Sequence, residues 1–200
     1  MEGIEELKRK HRRVIQKRLK EFKKISGEDI FYELCFCIMA VQTSGKKSWD
    51  VVMELKKKDF FRRNINPAPF LRKGYIRFHN TKSKHLILAK KKYFQIKKAL
   101  TINNVNELRE WLIFNVRGIG MKEASHFLRN IGKTEELAIL DRHILRNMKL
   151  FGARMRTKTL TKKTYLSLEK KFMELARKLN MKPAELDLLL WAKEVGVVFK

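Results

Sequence analysis

The chain has 200 residues, enough for one domain or two small subdomains around a real core. It carries 47 Lys plus Arg against 21 Asp plus Glu, a net charge of +26. Thermophile bias raises Glu together with Lys, so this one-sided excess points to a polyanionic partner, nucleic acid first and an anionic membrane surface second.

Taken in chain order, the pattern is helical nearly throughout. Ile4, Leu7, Val14, Leu19 and Phe22 recur at helical spacing until Ser26-Gly27, which stops the helix. Ile30 to Val41 is apolar on most faces and reads as a buried central helix. It contains Glu33 and is too short to span a bilayer, so no membrane association is expected. Ser44 can cap the next helix, with Trp49, Val52 and Met53 inward. Asn66-Pro-Ala-Pro69 is a break. Tyr75 to Asn80 reads as an extended or turn segment, followed by one long basic helix from Thr81 to Leu100.

Asn104 and Glu107 form a capping-box pattern, with Leu108, Trp111 and Leu112 as the apolar face behind it. Ala124, Phe127, Leu128 and Ile131 mark the inner side of another helix, which Gly132 ends. Asp141 starts the next helix and Gly152 closes it; Arg154 to Lys163 is a basic connector. Tyr165, Leu168, Phe172, Leu175 and Leu179 define one more helix, and Pro183 begins the last, which ends near Gly196. The expected fold class is all-α, with roughly ten helices.

The N-terminus, Met-Glu-Gly-Ile-Glu-Glu, is acidic and lacks a signal-peptide plan, so an intracellular setting is expected. Cys35 and Cys37 sit two apart in an apolar helix and face different directions, which argues against a disulfide. Two cysteines cannot hold a four-iron cluster, and no His/Cys spacing suggests zinc; no metal site is expected.

The most informative stretch is Val116-Arg-Gly-Ile-Gly-Met-Lys-Glu-Ala, followed by Ile139-Leu-Asp-Arg-His-Ile144. Glycine tolerates positive φ and lets the backbone approach a ligand. Gly118-Ile119-Gly120 between two helices can therefore turn amide N–H groups toward one DNA phosphate, gripped without reading sequence. An ordinary helix-turn-helix corner would use the same residues. Lys122 falls in the first turn of the following helix, where the dipole field disfavours a cation, a condition that favours a neutral amine nucleophile. Asp141, nineteen positions later, is placed to cap a helix. It can also remain ionised and stabilise positive charge developing on a sugar.

At these residues the chain resembles the helix-hairpin-helix DNA glycosylase superfamily. More narrowly, it is similar to the small second family of 8-oxoguanine DNA glycosylase/AP lyases. Glu33 to Ala40, Lys122 to Arg129 and the ending Leu188 to Lys200 support that choice. The resemblance implies two helical subdomains with the active site in the cleft between them. Residues 28–134 would form one, ending in the helix-hairpin-helix, and 1–27 plus 135–200 the other, within a single unit over 1–200. It implies that Lys122 attacks C1′ and displaces the damaged base, with Asp141 as acidic partner. The Schiff base then permits β-elimination and nicking.

The resemblance further implies that Lys200, at the terminus, distinguishes 8-oxoguanine from guanine. An acceptor there would pair with the N7 hydrogen that only the oxidised base carries. Trp191 could stack on the flipped base, or pack in the core. Gly118 and Gly120 would grip the DNA backbone, and Gln42 would fill the gap left by the extruded base. Gln42 departs from the Asn-Thr-Ser pattern expected there, and Val195-Gly-Val197 from an expected Thr-Gly-Glu. His126 packs or meets phosphate, and His143 has no assigned role. The other lysines and arginines read mostly as a solvated basic surface.

The implied partner is double-stranded DNA containing 8-oxoguanine or abasic sites, bound by a monomer. No cofactor is required, the iron–sulfur cysteines of the endonuclease III branch are absent, and the hairpin carbonyls leave room for a monovalent cation. Two rivals remain: a glycosylase of the same fold acting on oxidised pyrimidines, and a non-catalytic helix-hairpin-helix module.

Overall fold

Apolar residues at helical spacing, separated by charge, dictate helices; the computed structural model describes residues 2–151 and 160–200, and eleven helices lie among them. In chain order these are α1 (Glu2–Phe22), α2 (Asp29–Ala40), α3 (Gly45–Lys57), α4 (Ala68–Lys73), α5 (His79–Lys91), α6 (Tyr93–Ala99), α7 (Val105–Asn115), α8 (Met121–Asn130), α9 (Arg142–Leu150), α10 (Lys162–Lys178) and α11 (Pro183–Val195). No strand occurs among the described residues, so the fold is all-α. No helix among them is long and apolar enough to cross a membrane. The expected stop at Gly152 and most of the basic connector from Arg154 lie outside the described residues. The chain forms two compact units, Ile25–Phe127 and Met1–Lys24 with Leu128–Lys200, and passes between them within α8.

In the unit Ile25–Phe127, α2 is the centre, with every side chain from Phe31 to Met39 buried. α3 and α5 pack on it. The rings of Phe60, Phe61 and Tyr93 meet Phe31 at 5.9, 5.0 and 5.4 Å between centroids. Three local expectations are corrected. Ser44 stands at the N-cap of α3 but its side chain makes no capping bond; the Ser48 hydroxyl instead donates back to the Ser44 carbonyl. Met53 faces solvent, while Val51, Val52 and Leu55 point inward. The long basic helix is two helices, broken at Lys92 between α5 and α6.

In the other unit, Ile15, Leu19 and Phe22 of α1 pack with Ala184, Leu188 and Leu189 of α11. Val14, expected inside, is 49% exposed, because burying Ile15 and Leu19 turns it outward. Gly132 ends α8 at φ +66, and an added Cβ would lie 2.5 Å from Lys23 Cα. Glycine is thus required there both for conformation and for close approach. Arg129 and Asp187, both buried, form an ion pair at 3.1 Å. Residues 137–140 lie outside any helix and are buried. Without a sheet, their backbone groups need side-chain partners. Tyr165 Oη donates to the Ala138 carbonyl (2.7 Å) and accepts from the Leu140 N–H (3.3 Å), and Glu169 accepts from the Ala138 N–H (3.1 Å).

Candidate active site

α7 opens on Asn104, whose side chain accepts from the N–H groups of Asn106 and Glu107. The expected capping box is only half formed, since Glu107 accepts from the Asn104 side chain rather than from its backbone. α7 ends at Asn115, and the chain turns through Gly118 at φ +88. A Cβ on Gly118 would lie 2.4 Å from His85 Nδ1, so this glycine is fixed by conformation and by crowding. Burial, with the nearby Arg117 charge, lowers the pKa of His85 and keeps its ring neutral to lower pH. Buried Arg109 on α7 donates to the Ser125 hydroxyl on α8 at 3.1 Å, and that hydroxyl donates to the Met121 carbonyl. The two helices flanking the hairpin are thereby tied together.

Gly120 does not need positive φ. Its N–H donates to Glu123 Oε2 at 3.2 Å. This is the backward bond of a capping box, made by an acid three residues after the cap. The amide read from the sequence as a phosphate donor is therefore already engaged by a carboxylate. Lys122 follows in the first turn of α8, half-buried, with Nζ 3.5 Å from Glu123 Oε1. Glu123 thus fixes both the helix start and the lysine. The signal for it, Gly-x-x-Glu before an apolar helix face, was present in the sequence.

Asp141 is the N-cap of α9, as expected. Its Oδ1 accepts from the N–H groups of His143 (2.8 Å) and Ile144 (2.9 Å). Its Oδ2 accepts from the indole N–H of Trp191 at 3.0 Å. Three donors hold this carboxylate in place. Trp191 is thus joined to Asp141 by a hydrogen bond that the sequence did not suggest. Behind it, Glu194 accepts from Asn147 Nδ2 (2.9 Å) and Arg146 (2.7 Å), with His143 Nδ1 at 3.4 Å. Burial raises the Glu194 pKa, but the bonds from Asn147 and His143 and the charge of Arg146 outweigh it and hold the carboxyl below its usual range.

Gln42 is exposed on the turn between α2 and α3, at φ +50. Beneath the turn lies Lys82, only 4% exposed, which corrects its placement on the solvated basic surface. Its spacing carries the signal, because Lys82 falls on the helical stripe of buried Leu86 and Ala89. His126 is buried, its ring 5.5 Å from that of Phe36, so it packs. Near the terminus, Val198 packs against the α1–α11 cluster and Lys200 is partly buried, so the tail is held. Among the described residues, no group of three His, Cys, Asp or Glu side chains is placed to hold a metal ion.

The family profile described as 8-oxoguanine DNA glycosylase matches residues 15–181. An 8-oxoguanine DNA glycosylase/AP lyase of Fusobacterium nucleatum subsp. nucleatum is 41% identical, with 92% of this chain and 90% of that protein covered. One of Thermoplasma volcanium is 34% identical, with 94% and 92% covered. The crystal structure of the Methanocaldococcus jannaschii 8-oxoguanine glycosylase/lyase with a 15mer DNA containing 8-oxoguanine superposes with a TM-score of 0.90 at 33% identity, covering 100% of this chain and 98% of that one.

Proposed function

The chain belongs to the 8-oxoguanine DNA glycosylase family, and on that premise we propose that it excises 8-oxoguanine from DNA and nicks the strand at the resulting abasic site. The observation that carries the reading is Lys122 in the first turn of α8, directly behind the glycine hairpin. Phosphate contacts from the basic surface supply affinity, with strong salt dependence. Gly118 keeps the hairpin backbone open to a phosphate; Gly120 contributes its N–H once the Glu123 carboxylate gives it up.

The Lys122 amine, unprotonated, attacks C1′ of the damaged nucleotide. The C1′–N9 bond breaks, and the base departs with the bonding electrons and takes up a proton. Asp141 balances the positive charge that develops on the sugar. Opening of the sugar ring leaves an iminium between Lys122 and C1′. Loss of a C2′ proton then expels the 3′-phosphate by cleavage of the C3′–O bond, and water releases the lysine. Gln42 fills the gap left in the duplex, and Lys200 tests the base. Deleting Lys200 should therefore impair recognition of 8-oxoguanine while leaving nicking at preformed abasic sites. The enzyme works as a monomer on intracellular DNA and needs no cofactor, so a chelator should leave excision unchanged.

Borohydride trapping on duplexes carrying 8-oxoguanine, guanine or an oxidised pyrimidine tests the reading, with Lys122→Gln beside the wild type. The expected result is an adduct only with the wild type and preferentially on 8-oxoguanine. An adduct mainly on the pyrimidine would overturn the substrate, and a Lys122→Gln protein that still nicks would overturn the nucleophile.

A further inference from the structure

The turn that carries Gln42 is held from below by one ammonium group. Lys82, from the first turns of α5, donates to the carbonyls of Met39 (2.8 Å) and Val41 (2.5 Å) and to Thr43 Oγ1 (3.0 Å). These partners bracket Gln42 in sequence on both sides. The Thr43 hydroxyl in turn donates to the Val41 carbonyl and accepts from the Arg77 N–H, both at 3.3 Å. Gln42 itself sits at φ +50, a conformation that a non-glycine residue keeps only when its surroundings over-determine it. Residues 39, 41 and 43 each turn an oxygen to the lysine, while Gln42 is exposed.

A lysine ammonium has three donors and a neutral amine two. Only the charged form can donate to all three acceptors at once. The site is an expensive one for that charge: burial lowers the Lys82 pKa to about 8, with Arg77 and Lys122 acting in the same direction and Glu123 opposing them. A methionine could fill the same space at no cost in charge, but it would remove the donor that ties the Met39 and Val41 carbonyls together at the end of α2. The arrangement makes sense if the shape of the turn matters more than the cost of the charge.

We propose that Lys82 is a positioning residue for base excision: it locks the turn that presents Gln42 for entry into the duplex. This rests on the reading above in which Gln42 fills the space left by the extruded base. Lys82 acts through Gln42 and does not touch the reacting sugar.

The test is a double-mutant cycle on the full chain with Lys82→Met, Gln42→Ala and both together. The readouts are single-turnover excision from an 8-oxoguanine duplex and stopped-flow fluorescence of a 2-aminopurine beside the lesion. Each single variant should slow extrusion and excision about 10- to 100-fold, the scale of loss from misplacing a positioned group by about 1 Å. The double variant should be no slower than Gln42→Ala. In the wild type, extrusion should fall as pH rises through about 8, where Lys82 loses its third donor; Gln42→Ala should lack that limb. If Lys82→Met does not fold, Thr43→Val removes one acceptor while leaving the lysine, and the same non-additivity is expected. Additive losses, or an unchanged Lys82→Met protein, would refute the positioning role. A wild type that does not excise 8-oxoguanine would instead remove the functional reading beneath it.

Discussion

Trp191 separates two accounts of the site, and Trp191→Phe distinguishes them. From the sequence it was a candidate to stack on the extruded base. In the structure its indole N–H is one of three donors to the Asp141 carboxylate, at 3.0 Å. Phenylalanine keeps an aromatic face and removes that donor alone. A hydrogen bond to a charged group is worth about 1.5–3 kcal/mol. With about 1.36 kcal/mol per factor of ten in rate, single-turnover excision should fall about 10- to 150-fold if the whole bond acts on the barrier. Affinity for the lesion duplex should hold, because an orientation effect on the carboxylate enters the chemical step rather than binding. Trp191→Ala removes donor and ring together and should weaken binding as well. A Trp191→Phe enzyme as fast as the wild type, with Trp191→Ala far slower, would show that the indole bond contributes nothing to catalysis.

Three further outcomes follow from the same geometry. Gly118→Ala combines positive φ with a Cβ 2.4 Å from His85 Nδ1; it should cost about 1–3 kcal/mol in urea unfolding and weaken binding to undamaged duplex in fluorescence anisotropy. Asp187→Asn leaves the Arg129 charge buried without its carboxylate, a loss of about 3–5 kcal/mol, or a Tm roughly 6–20 °C lower for a chain of this size. Replacing both residues by Met and Leu should recover most of it, and a melting curve that does not separate the single variant from the wild type would contradict the pair's importance. The Glu135 carboxyl is raised by burial but held below its usual value by Lys23 and Lys182. A depressed carboxylate contributes stability above its ordinary value of about 4.3 that is lost as pH falls through the lowered one, so Glu135→Gln should make the acid side of the Tm–pH curve shallower.

The helices were legible because burial on one side imposes a period that charge cannot disguise, as in Leu19 and Phe22 or Leu168 and Phe172. The cap at Asp141 was legible because a short acceptor before an apolar run has few other uses. What escaped was the interior polar chemistry. Lys82 and Arg109 belong to residue types that are nearly always solvated, and 47 cations conceal the few that are not. The errors at Val14 and Met53 have a different cause: along a mixed stripe, neighbouring apolar residues compete for one face, and packing against a particular partner helix decides. The break at Lys92 carries no Gly or Pro and so left no mark in the sequence.

The interior cations and acids share a task that the absence of any strand among the described residues explains. A helical protein satisfies most of its backbone inside its helices and offers few backbone partners to a segment that leaves them. Yet Gln42, Gly118 and Asp141 all sit on such segments, because a turn or a non-helical run can expose a side chain or an amide where a helix flank cannot. Long polar side chains from neighbouring helices take the place of a sheet. Lys82 supports the turn at Gln42, and Arg109 with Glu123 supports the hairpin at Gly118. Tyr165 and Glu169 support the run that delivers Asp141. Lys82 and Tyr165 each reach two backbone atoms, Glu123 and Glu169 one each, and Arg109 acts through the Ser125 hydroxyl. Truncating one should therefore disturb its own segment, and the step that segment serves, well before it unfolds the helices around it.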